Sequence, residues 1–441
     1  MAQWNITTQD YLNQERSLFE VNGVATRDGK IVDEYNRFPV SINSDAFGRT
    51  RVSNPLTLFD SSHRYRDNNL WESLVVGTGS TVGFATTAGL VNMTVGVGST
   101  ASVIRETTKV FSYQPGKSLL TMNTFVLNPP KENLRQRVGY FGVDNGIYFE
   151  VDGTTAYFVE RSLSLGTETR VSQSNWNIDK LDGTGVSGVT LDLTKAQILW
   201  TDIEWLGLGN VRLGFIINGK FIHAHTFQHA NIIQSTYITT ASLPLRYEIS
   251  NIGITTSAST LKQVCSTVIS EGGYELRGLQ QAVSTPITAP VDLPTPAGTY
   301  YPVISIRLKA PINGQPDRLD AIVIMTALSI MGTGNGPQYN WQLRANATTS
   351  GGIWVSAGTD SAVEYKIDGG SVSGGRILAS GFLTSANQSS QSVDILKEAL
   401  FKFQLERNGI TKTPYELTLV AASDTAGADI FASMDWEEIS R

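Results

Sequence analysis

Cysteine is almost missing: Cys265 stands alone in 441 residues. That excludes an intramolecular disulfide framework and a cysteine-rich zinc site, and it fits a chain folded in a reducing compartment. Charge is scarce too. Lys, Arg, Asp and Glu make up 17% of the chain, below the usual quarter, and the net charge is −6. A basic surface able to neutralise phosphates is therefore lacking, which argues against nucleic acid as a partner. Long apolar runs are absent as well. The longest, "AIVIMTALSIM" from Ala321, falls well short of the roughly 18 residues that span a bilayer, so no membrane insertion is expected. The first residues, "MAQWNITTQDYLNQER", hold no apolar stretch of the kind a secretion signal needs. With so few charges, much of the surface must be Ser, Thr, Asn, Gln and Gly, a composition suited to packing against neighbours in an assembly.

What is present is β patterning. The 41% apolar content fills more than one core, and the length favours two to three domains. Residues 1–55 carry few periodic apolar positions and two turn signals, Asn22-Gly23 and Asp28-Gly29, and read as an extended arm with short strands. From Leu56 onward apolar and polar residues alternate between closely spaced turns. "GIYFEV" and "AYFVERSL" read as a hairpin across "DGTT", and "VRLGFIINGKFIHAHTF" as a second hairpin turning at Asn218-Gly219. Residues 56–279 are thus expected to form an antiparallel, jelly-roll-like β-sandwich. Residues 280–297, with four prolines between Pro286 and Pro296, read as a semi-rigid linker. Beyond it, 298–441 is expected to be a smaller β-sandwich with one helical candidate, "DILKEALF". The fold class is mainly β: an arm and two sandwiches joined by a Pro-rich linker.

Few motifs carry chemistry. Gly183, Gly185 and Gly188 spell G-x-G-x-x-G, but neither a buried strand before them nor a helix after them supplies the context of a nucleotide site, so a plain glycine-rich loop is expected. His223, His225 and His229 cluster in "HAHTFQH". On a regular strand His223 and His225 share a face, the beginning of a metal site, yet no carboxylate lies nearby in sequence and no metal or other cofactor is assigned. "WTDIEWLG" sets Asp202 and Glu204 on one strand face beside Trp200 and Trp205. Paired carboxylates beside indoles are what a retaining glycosidase uses, but two acids on a strand are more often a solvated face. Cys265 reads as a packed small side chain. Tryptophans in strand contexts read as core, with a carbohydrate-binding aromatic face as the alternative.

Five phrases carry a resemblance. "SDAFGRTRVSNPLTLFDSSHRYRDN" (from Ser44), "QSNWNIDKLDGTGVSGVTLDLTKAQI" (from Gln173), "VRLGFIINGKFIHAHTFQHAN" (from Val211), "LPLRYEI" (from Leu243) and "VCSTVISEGGYE" (from Val264) resemble a family of virion structural proteins of tailed bacteriophages, including marine and cyanobacterial ones. The resemblance implies a non-enzymatic, multi-copy particle subunit, assembled in the host cytoplasm and located in the virion. It transfers no catalytic residue. The tail, baseplate or neck-fibre region is the first expectation and decoration of the head shell the second. Partners would be copies of the chain itself, with a homotrimer as the first arrangement to expect, and other virion proteins. A glycan-binding host-adhesion protein is a further alternative, and a glycan depolymerase using Asp202 and Glu204 comes last. If "GRTRVS" is extended, Arg49 and Arg51 point to one side of it. Together with Phe47 they are expected to form a docking joint between arm and body, and replacing both arginines by Ala is expected to impair assembly more than folding.

Overall fold

The computed structural model describes residues 6–9, 15–21, 24–27, 30–31, 54–273, 275, 277–293, 296–310, 318–333, 336–385, 391–392 and 403–440. The chain divides into two units, Met1–Asn54 and Pro55–Arg441. The first holds a four-stranded antiparallel sheet in sequential order, Ile6–Gln9, Glu15–Val21, Val24–Arg27 and Lys30–Ile31. The short strands expected in the arm thus pair into a sheet of their own. Phe47, Arg49 and Arg51, expected to dock the arm, lie outside the described residues, as does the helical candidate Asp394–Phe401. No α-helix occurs among the described residues.

The second unit contains two antiparallel β-sandwiches. The first packs an eight-stranded sheet on a seven-stranded one. In the eight-stranded sheet the order runs Lys220–Phe227, Val211–Ile217, Ala196–Ile203, Leu119–Val126, Ser259–Glu271, Leu90–Val95, Thr81–Ala85, with Pro55–Ser62 also paired to Ser259–Glu271. In the seven-stranded sheet it runs Thr167–Ser172, Thr155–Ser162, Gly146–Asp152, Leu134–Phe141, Leu245–Asn251, Ser102–Thr107, Trp71–Val76. Alternation explains the layers. Leu119–Val126 switches between buried and half-buried at every residue, as a strand must when one face meets a core. Phe149 and Phe215, from opposite sheets, meet edge to face at 5.2 Å, and Trp176 stacks on Phe158 at 4.3 Å to close the core.

Both expected hairpins are present. Gly146–Asp152 pairs with Thr155–Ser162, and Val211–Ile217 pairs with Lys220–Phe227. The second turns on Asn218 and Gly219, both at positive φ (52° and 74°), the conformation that a two-residue turn between right-twisted strands requires.

The second sandwich has a core of its own, with Leu343, Leu419 and Trp436 fully buried. Here the linker expectation is corrected. Within 280–297, Leu279–Ser284 and Val291–Leu293 pair with Ala428–Ser440 as strands of the five-stranded sheet. Pro286 and Pro290 fall between these two short strands, where a missing N–H costs no ladder bond. The sandwiches also touch. Val110 of the first joins Ile322 and Ile324 of the second in a small apolar cluster, and the Arg407 backbone N–H donates to the Thr108 carbonyl at 2.9 Å.

Candidate functional site

The outer faces of the first sandwich present its accessible chemistry. On the seven-stranded sheet, cross-strand register sets opposite charges side by side: Arg137 lies opposite both Glu150 and Glu248, and Arg246 opposite Glu106. The side chains join into one ladder. Arg170 bonds Asp152 at 2.8 Å and also Glu150; Arg137 links Glu150 (2.6 Å) to Glu248 (3.3 Å); Arg246 links Glu248 (2.6 Å) to Glu106 (2.8 Å). Arg407 of the second sandwich ends it on Glu106 at 3.0 Å. Although burial alone would raise it, the Glu248 carboxyl is held below its ordinary range by Arg246 and Arg137. Tyr148 and Phe141 lie fully buried beneath Arg137, Arg161 and Arg246, whose guanidinium groups cover the rings at 5.2–6.0 Å. The acids and arginines of this ladder all have partners within the protein.

The opposite outer face differs. Asp202, near the end of Ala196–Ile203, faces Arg212 across the strand pair, and the two side chains are ion-paired through Oδ2. Asp202 is only 6% exposed, and its Oδ1 has no hydrogen-bond partner in the protein. Burial pushes its carboxyl above the usual range; Arg212 and the nearby Ser118 hydroxyl oppose this and Glu271 adds to it. Ser118, which donates to Glu271 at 2.7 Å, lies in the same wall. Asp202, Glu204, Arg212, Lys117, Ser118 and Tyr113 line a cleft of about 440 Å³. Its two cations have acceptors of their own: Arg212 on Asp202, and Lys117 on Gln114 Oε1 at 3.1 Å.

Of the residues singled out in the sequence, the structure brings Asp202 and Glu204 together in this cleft, although the strand ends at Ile203 and Glu204 sits exposed in the turn that follows. Trp200 shares the outer face with Asp202 but is no sugar platform. Its indole lies over Gly214, where a Cβ would come within 2.9 Å of Nε1, between Phe221 (5.7 Å) and His223 (5.8 Å), and it is 6% exposed. Trp205 packs edge-on against Tyr113 at 6.3 Å.

The histidines do not converge. A β-bulge between Leu213 and Gly214 pairs His223 with Gly214 and His225 with Leu213, so the expected shared face is lost. His223 stays outside, bonded to Thr226 Oγ1 at 2.8 Å, while His225 turns into the core between Phe158 and Phe227. His229 bonds Glu160 at 2.8 Å and the Gly209 carbonyl at 2.5 Å and stacks on Tyr237. Acceptors at both ring nitrogens call for the protonated imidazolium, and although burial alone would lower it, these acceptors raise its pKa. Among the described residues no three His, Cys, Asp or Glu side chains stand together as a metal site.

The glycine-rich loop folds around its own acid. Asp179, buried, accepts from the N–H groups of Leu181 (2.9 Å) and Ser187 (2.7 Å), and a Cβ on Gly185 would fall on that carboxylate. Burial raises the Asp179 pKa, but these N–H donors outweigh it and hold it low. The anion such a loop could cradle is already part of the chain. Lys117, Tyr113 and Arg212 escaped the sequence reading; Arg212 is found only once the register opposite Asp202 is known.

No protein-family model and no curated protein matches the chain. Solved structures similar to it include the Emp47p carbohydrate recognition domain (10% identity, 52% of this chain and 100% of that one, TM-score 0.32) and arcelin-5, a lectin-like defence protein from Phaseolus vulgaris (8%, 51% and 100%, 0.31). A Bacteroides ovatus glycoside hydrolase of family 16, solved with a mixed-linkage glucan product, is similar too (10%, 48% and 99%, 0.32). The case for the cleft rests on its own atoms.

Proposed function

We propose that this chain is a non-enzymatic glycan-binding protein, carried on a tailed-phage particle as a multi-copy subunit, with the Asp202 cleft as its sugar site. The observation that carries the binding role is Asp202, which lines a cleft of about 440 Å³ and whose buried Oδ1 has no partner in the protein. A buried carboxylate oxygen left without a donor is costly, and a ligand hydroxyl relieves that cost. The reading as a binder rather than a hydrolase is supported by the Arg212 pair, which ties Asp202 down, and by Glu204 standing in a turn beyond the strand. The particle setting is supported by the resemblance over Ser44 to Glu275.

The test is binding of the purified full chain to immobilised polysaccharide of the host surface. Capture without release of reducing ends is expected. Silence across that polysaccharide ends the glycan reading, and release of reducing ends ends the non-enzymatic one.

A purely architectural role in the tail, baseplate or neck-fibre region is the second reading. It is favoured by the separate N-terminal unit, Met1–Asn54, which suits docking to a neighbour. Averaged cryo-electron microscopy of the particle would then find the chain at a fixed symmetric position, with no glycan bound by the isolated protein.

A further inference from the structure

We propose that the Asp202 cleft selects an uncharged sugar, one that presents hydroxyl donors and no acid group; this rests on the glycan-binding reading above. The cleft's open valences are acceptors. Asp202 Oδ1 has no partner, and Glu204, exposed at the mouth, has only the long 3.4 Å bond that its Oε2 accepts from the Asn210 N–H. An ionised carboxylate donates nothing, so both need a ligand O–H. Of the two cations in the cleft, Arg212 is paired with Asp202 and Lys117 donates to the neutral Gln114 amide oxygen. Glu271 adds a third carboxylate behind Ser118. Three acids against two cations leave this wall net negative, so the carboxylate or sulfate of an acidic sugar would meet like charge there, and that group brings no donor of its own. Neighbouring hydroxyls of a neutral hexose meet both demands.

The experiment is an array of neutral, uronic and sulfated oligosaccharides probed with the full chain, followed by titration of the tightest neutral binder. Neutral sugars are expected to bind and acidic ones to fail. Asp202→Asn and the surface change Glu204→Gln are each expected to weaken neutral binding about fivefold to tenfold, as loss of a charge-assisted hydrogen bond does. Acidic sugars binding as tightly as neutral ones overturn the selectivity and leave the glycan-binding role standing. Unchanged affinity in both variants overturns this cleft as the site. Absence of binding to every glycan brings down the functional reading itself.

Discussion

The two outer faces of the first sandwich treat buried charge in opposite ways. On the seven-stranded face, Asp152, Glu150, Glu248 and Glu106 are neutralised in turn by Arg170, Arg137, Arg246 and Arg407, and strand register sets Arg137 opposite Glu150 and Glu248 and Arg246 opposite Glu106. On the eight-stranded face, Asp202 has one oxygen on Arg212 and the other on nothing. A closed network has no use for a ligand. An open acceptor in a cleft does, and what separates structural charge from functional charge here is whether the hydrogen bonds are completed from within.

The contrast breaks most visibly at Glu248. Glu248→Ala takes one of two acid partners from each of two buried arginines, and denaturant unfolding is expected to show a loss of about 3–5 kcal/mol. Gly185→Ala tests the other closed carboxylate, since its Cβ must displace Asp179 from the Leu181 and Ser187 N–H groups. A loss of about 1–3 kcal/mol is expected by the same measurement. The two core histidines sharpen the comparison by pH. His225, with Nε2 unpartnered, is pushed by burial from 6.5 to about 4, so the unfolded chain takes up its proton first and stability falls as pH drops from about 6.5 towards 4. His229, partnered at both nitrogens, has a raised pKa, so its contribution is complete below its unfolded value and is lost as pH rises through its folded one. Melting temperatures across that range should lose their acid slope in His225→Gln and their alkaline slope in His229→Gln. The smallest effect belongs to Asp202→Asn. Stability should change by less than about 1 kcal/mol, because Arg212 is largely exposed and the open oxygen contributes no hydrogen bond to lose. A large loss there would make Asp202 structural and erase the distinction between the faces.

Where local rules decide, the fold was readable. Asn218-Gly219 announces a turn because both positions adopt positive φ, and the alternation of Leu119–Val126 announces one buried face. The Pro-rich stretch was misread since proline content speaks of missing donors, not of the short strands on either side of Pro286 and Pro290. The shared face expected of His223 and His225 was lost for a different reason. A period of two assumes an unbroken ladder, and one bulge reverses it. Asp202 and Glu204 stood out as a pair, but nothing local says that one carboxylate oxygen ends up buried and unmatched. The ladder was out of reach altogether: Arg137 and Glu248 lie 111 positions apart and meet only through the sheet.

Arg407 gives the ladder a mechanical meaning. A pull on the second sandwich reaches the first through its guanidinium on Glu106 and its backbone N–H on the Thr108 carbonyl, and then passes sideways through side chains of Ser102–Thr107, Leu245–Asn251, Leu134–Phe141, Gly146–Asp152 and Thr167–Ser172. Load is thus shared across the breadth of the sheet instead of peeling one edge strand, and the two sandwiches should bear tension as a single element.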